Sequence, residues 1–392
     1  MKSNNVTDMT QGNALGHIVK FAVPLLIGNL FQQLYNMVDS IVVGKFVGED
    51  SLATVGTCGS TNFLFFSLSS GVSIGIGIII SQYFGAKDEK RVRNTIGNSF
   101  LVMIVMALLV SIVGYALAPT LMHILNAPDN IFNEAVTYLR TTCLGIVAIA
   151  LYNGIAAILR ALGDSKTPLY FLIVSSVVNV ALDLVFVLNL GMGVFGVALA
   201  TIIAQLVSAL AAITYAFIKI PYFRLTKEEL KPNKEIIINS IKIGAPVAFQ
   251  NSTIAISCMA LQGVVNTFGS TVMAAFTVTS RIEQVVQQPY GSLGMALTTY
   301  AGQNMGAGKL DRVKDGFKKA TLIAFVFSMC LIPIAYIFGK NIVGFFVNDP
   351  EVIRIASQAL RINSLCYFGL GMIYVPRAML NGCGDTGFAL IN

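Results

Sequence analysis

Few side chains in this sequence can do chemistry, and Asp39 stands out among them. It sits inside the apolar run that opens "IVKFAVPLLIGNLF" at Ile18 and closes "QLYNMVDSIVVGKF" at Phe46. A second carboxylate, Asp183, is followed by the apolar "LVFVLNLG"; Asn179 stands one turn before it, and Thr201 lies in the next apolar stretch. Burial favours the neutral form of a carboxylic acid and a neighbouring carboxylate opposes double ionisation, so two such groups kept from water can share a proton. When both are ionised, their oxygens with those of an amide and a hydroxyl suit a small hard cation. A charge at membrane depth costs about 2.5–3.5 kcal/mol on insertion scales, so such residues usually face a cavity or a partner. The alternatives are plainer. Asp39 can be the interfacial end of a tilted helix, and a helical Asn or Thr often bonds a neighbouring helix or its own backbone.

The elements that must position these groups are apolar helices. Hydrophobic residues make up 55% of 392 positions, charged ones 11%, and the mean hydropathy is +0.74, against about 25% charged residues in soluble domains. Windows at about 18–45, 53–82, 96–118, 132–159, 169–189, 194–218, 236–267, 272–302, 320–339 and 351–380 are each long enough to cross about 30 Å as a helix. An all-α polytopic membrane protein with ten spans is expected. The polar start "MKSNNVTDMTQGNALG" carries no signal-peptide core, which makes the first helix a retained span.

Most of the 26 Lys and Arg fall in alternate loops, 84–95, 160–168, 219–235 and 304–319, joined by Lys2, Lys20, Lys242 and Arg377 at the same side. The positive-inside rule puts these loops and the amino terminus in the cytoplasm of a multi-pass plasma (inner) membrane protein. The net charge of +7 therefore reads as topology, and no nucleic-acid partner is expected. The six cysteines lack metal-ligand spacing and read as small packing residues. The glycines of "GVSIGIG" (71–77) match no nucleotide fingerprint and suit close helix approach. No nucleophile and base share a depth, so an enzyme is not expected.

An internal repeat organises the chain. "SQYFGAKDEKRV" (81–92) echoes "GQNMGAGKLDRV" (302–313) at an offset of 221, which also pairs Arg140 with Arg361 and "RALGDS" (160–165) with "NGCGDT" (381–386). "KFAVP" (20–24) matches "KIGAP" (242–246) at 222. Six helices separate the copies, so both enter the membrane in the same sense, as parallel repeats around a central cavity. The expected domains are an amino-terminal six-helix bundle (1–218), a basic cytoplasmic linker (219–235) and a carboxyl-terminal bundle (236–392) with four helices present. Asn392 aligns with Phe171, before the fifth helix of its half, so a truncated second repeat with about ten of twelve helices is expected.

With "FAVPLLIGN", "YNMVDSIVVGKF", the "GAKD" and "GAGK" loops and, most specifically, "NVALDLVFVLNLGMGVFGVALAT" (179–201), the chain resembles the MATE family of multidrug and toxic compound extrusion antiporters. The resemblance implies a V-shaped pair of bundles that exchanges protons or sodium ions for bulky, often cationic, organic compounds. It implies an ion-coupling site at Asp39, Asn179, Asp183 and Thr201, which would also hold any sodium ion, and it makes Pro24 a candidate hinge. No cofactor beyond the coupling ion is expected, and the partners are a small-molecule drug or toxic metabolite and the lipid bilayer, with the chain acting as a monomer.

Helical rise agrees with convergence. Asp39 lies roughly 28 Å along its helix from Lys20, Asp183 roughly 21 Å into the fifth helix, and Thr201 roughly 10 Å below the outer surface. Gln33, Tyr35, Asn36, Gln250, Glu283, Gln284 and Gln287 are candidates for a substrate cavity. Fourteen Met and 25 Phe permit pliable apolar contacts. A lipid or lipid-linked oligosaccharide flippase of the same superfamily is the alternative; such proteins line their cavity with Arg and Lys, which are sparse here.

Overall fold

The computed structural model describes residues 6–125 and 127–391; Lys2, counted above with the basic loops, lies outside them. Among the described residues there are helices and no strands. They are α1 (Ala14–Val42), α2 (Glu49–Gly85), α3 (Glu89–Ile124), α4 (Asp129–Ala161), α5 (Lys166–Leu184), α6 (Gly193–Lys219), α7 (Lys234–Val265), α8 (Ser270–Gly306), α9 (Leu310–Gly344), α10 (Pro350–Cys383) and α11 (Thr386–Ile391). Two continue as π-helical turns, α1 through Val43–Val47 and α5 through Val185–Asn189.

Several helices outrun their apolar windows because polar residues cap them. Asp88 accepts from the Arg91 backbone to start α3, and Asp349 accepts from the backbones of Glu351 and Val352 to start α10. Seven described helices, α1 to α6 and α9, are long and apolar enough to cross a membrane. The sequence expectation of ten spans is met in length by α7, α8 and α10, at 32, 37 and 34 residues, which carry more polar side chains.

The repeat survives in three dimensions as paired contacts. Arg140 lies over the Tyr115 ring and donates to its carbonyl, and Arg361 does the same at Tyr336. Gly163 and Gly384 both take a left-handed backbone, at φ +88° and +90°, to turn the chain after α4 and α10. The halves interlock. Helix α7 packs along α2, and α1 along α8. A methyl group at Gly75 would stand 2.6 Å from the Gly244 Cα, and one at Gly71 2.4 Å from the Ala248 side chain, so small residues set this approach.

At the face carrying the basic loops, termed the basic face below, the halves are tied by residues 6–13. Met9 is fully buried; its backbone N–H donates to Gln303 Oε1, and Asn304 and Arg312 donate to its carbonyl. Lys309 donates to the Thr10 carbonyl and Arg312 to that of Gly12. On the other half, Thr7 backbone lies against Gly163. The segment is a strap from the α4–α5 turn to the α8–α9 turn.

Candidate ion and substrate site

Asp39 stands on α1 four residues before the π-helical turn, and Asp183 two residues before that of α5. Such turns recur at functional sites because they re-aim side chains. The two carboxyl groups lie within hydrogen-bonding reach of one another. Asp183 is 0% exposed and Asn179 2%. Asn179 donates to Thr201 Oγ1 at 3.3 Å, and Thr201 in turn donates to the Val197 carbonyl at 3.1 Å. The four residues singled out from sequence are thus brought together from α1, α5 and α6.

Their oxygens are short of partners. Asp39 Oδ1, both Asp183 carboxylate oxygens and Asn179 Oδ1 are buried without a hydrogen bond. Two bare negative charges at this separation repel strongly away from water, and a proton or a cation between them relieves that repulsion. The donor set is oxygen only, which suits a proton or a hard cation.

On the side away from the basic face, valines close the site. Val43, Val187 and Val197 each stand one turn beyond Asp39, Asp183 and Thr201 respectively, and they pack together with Val42. In the other direction lies a cavity of about 750 Å³ that Asp39 and Thr201 line, with Asp183 buried behind them. That volume suits a drug-sized ligand. Its walls come from α1, α2, α4, α5 and α6, with Asn251 of α7 and Met295 of α8 at one side.

Of the expected cavity residues, Gln33, Tyr35 and Asn36 line this space, as does Pro24, whose ring denies α1 one backbone hydrogen bond. Gln250, Glu283, Gln284 and Gln287 lie outside it. Gln250 is buried and spends its amide on the Ala389 carbonyl of α11. Glu283 accepts from Tyr367 at 2.8 Å and Asn363 at 3.3 Å, tying α8 to α10. Gln284 is exposed on α8 and Gln287 half-buried.

Gln205 and Arg160 are among the lining residues that escaped the sequence. Gln205 follows Thr201 by one turn on α6, a spacing that signals a shared face; its carbonyl oxygen is also unpartnered. Arg160, counted with a basic loop from sequence, instead belongs to the last turn of α4 and faces the cavity.

Comparison with known proteins agrees with this architecture. The MatE family matches residues 24–185 and again 246–391. The chain is 30% identical over 379 residues to "Probable multidrug resistance protein YpnP" of Bacillus subtilis (strain 168), covering 96% of this chain and 84% of that protein. It is 29% identical over 373 residues to "Probable multidrug resistance protein YoeA" of the same strain, covering 93% and 81%. The structure described as "Crystal structure of MATE in complex with MaD3S" superposes with a TM-score of 0.92 at 25% identity, over 100% of this chain and 87% of that one. Twofold matching of one family to the two halves, and a fold shared over the whole chain, place this protein in the MATE family of multidrug efflux transporters.

Proposed function

We propose that this chain exports bulky organic compounds, cations among them, in exchange for protons or sodium ions. The proposal places it in the plasma membrane as a monomer, with the amino terminus and the basic face in the cytoplasm. The observation that carries the reading is the pair Asp39 and Asp183, with unpartnered oxygens at one end of a drug-sized cavity.

The cycle is alternating access. An ion binding between the carboxylates removes their mutual repulsion, and α1, weakened at Pro24, rearranges so that the cavity releases its organic cargo outward. Loss of the ion to the cytoplasm restores the charged pair and resets the site for the next cargo. One charge moving down 100 mV supplies about 2.3 kcal/mol, nearly a fiftyfold concentration ratio, so one ion per cycle drives useful export.

Ethidium efflux from energised cells lacking their own pumps tests this. Efflux that an ionophore abolishes, and that Asp39→Asn and Asp183→Asn each reduce at least tenfold at equal membrane expression, is the expected result. Undiminished efflux in the double variant would overturn the coupling site.

A further inference from the structure

At the end of the cavity opposite the carboxylates stands a guanidinium with no partner among the described residues. Arg160 lines the cavity beside Tyr152, Asn153 and Ser165. Among the described residues it makes neither a hydrogen bond nor an ion pair, and Tyr152 is its electrostatic neighbour. The carboxylate nearest in sequence, Asp164, is already committed: it accepts from the backbones of Lys166 and Thr167 and from the Thr167 hydroxyl. Tyr138, which lines the cavity near Asp39 and Asp183, precedes Arg160 by 22 residues on α4. By helical rise that separation is roughly 33 Å, too far for the carboxylates to serve as its counter-ion across a wet cavity.

The repeat shows that the fold does not require this arginine. The turn after α10 has the same left-handed glycine, Gly384, and the same capping carboxylate, Asp385, which accepts from the Phe388 backbone as Asp164 does from Thr167. At the position of Arg160 that copy has Asn381. A charge that the turn can do without, held against a cavity rather than against an acid, is placed for a ligand.

We infer that Arg160 is an anion-binding subsite of the cavity, holding the carboxylate of an organic substrate that enters from the basic face. The planar guanidinium fork matches a carboxylate with two parallel hydrogen bonds, and the Tyr152, Asn153 and Ser165 side chains supply polar surroundings. Substrates would then include carboxylate-bearing and zwitterionic compounds, whose carboxylate Arg160 supplies with a counter-charge. This inference rests on the cavity being the substrate path.

Rhodamine 110 and its methyl ester rhodamine 123 differ in a free carboxylate, which makes them the test pair. Their affinities for the purified full chain, in discs of neutral lipid, are read by fluorescence polarisation for the wild type, Arg160→Gln and Arg160→Lys. The expected result is that Arg160→Gln lowers the affinity ratio of rhodamine 110 to rhodamine 123 about tenfold, and that Arg160→Lys restores part of it. An unchanged ratio, or equal loss of both dyes, overturns the subsite. Repeating the measurement in discs containing phosphatidylglycerol separates the other anion source: a wild-type preference for rhodamine 110 that vanishes there, with a retained anionic lipid lost in Arg160→Gln, assigns the site to lipid phosphate and overturns the substrate reading. Wild-type protein that binds and exports neither dye refutes the export proposal itself, whereas export without discrimination refutes the subsite alone.

Discussion

Gln82 and Gln303, 221 residues apart, make the same hydrogen bond in opposite directions across the two halves. Gln82 donates to the Gly382 carbonyl at 3.1 Å, and Gln303 donates to the Ala161 carbonyl at 3.0 Å. Beside them Gly85 rests on the Gln303 carbonyl and Gly306 on that of Gln82, with no room for a methyl group at either. This reciprocal contact closes the basic face. Two bonds at about 1 kcal/mol each hold it, so Gln82→Ala with Gln303→Ala should shift the open-to-closed ratio about thirtyfold. Distances between spin labels at the basic ends of α2 and α8 would report the shift, and an unchanged distribution would remove these residues from the clamp.

The strap adds to the clamp, and Asp8 organises it. Thr10 donates to Asp8 Oδ1 from its backbone at 2.9 Å and from its hydroxyl at 2.6 Å. Burial pulls this carboxyl upward, but the Thr10 bonds and the charges of Lys87 and Lys309 outweigh it and hold the group below the usual carboxylate range. A depressed value means that the stabilisation is fully present above the unfolded pKa, near 3.9, and is lost as pH falls through the folded one. Hydrogen exchange of residues 7–12 should therefore be slow and pH-independent, once corrected for intrinsic rates, between about pH 5 and 8. Asp8→Asn should speed it severalfold throughout that range.

Water is kept from the ion site on one side by the valine plug. Val43 is 0% exposed and Val187 7%. Val43→Ser with Val187→Ser should hydrate the carboxylates from the side away from the basic face. Proteoliposomes carrying this variant should leak protons severalfold faster than wild type without any organic substrate. Equal leak rates would mean that the plug is not the seal.

Glu283 and Asn62 occupy one repeat position, and each bonds its neighbour across the helix pair: Asn363 donates to Glu283 at 3.3 Å, and Thr142 donates to Asn62 at 2.9 Å. Only the second half adds a tyrosine, Tyr367, among these described residues. Glu283→Gln keeps an acceptor for both donors and should leave the thermal midpoint nearly unchanged. Glu283→Ala strands the Tyr367 hydroxyl and should cost about 1–3 kcal/mol. Denaturant titration of the purified variants would separate the two.

The sequence by itself determined the helices, their order and the duplication, because hydropathy and a shared offset are properties of the chain read along its length. It also marked Asp39, Asn179, Asp183 and Thr201, since helical rise and an i, i+4 spacing are local quantities. What it left open was the rotation of each helix about its axis. Gln250 and Gln33 look alike in sequence, yet one is spent on the Ala389 carbonyl and the other lines the cavity. Arg160 reads as a loop charge until the length of α4 and its packing aim it inward. Contacts such as Gln82 with Gly382 join residues 300 positions apart, and side-chain packing between helices, which no single span records, decides which of them meet.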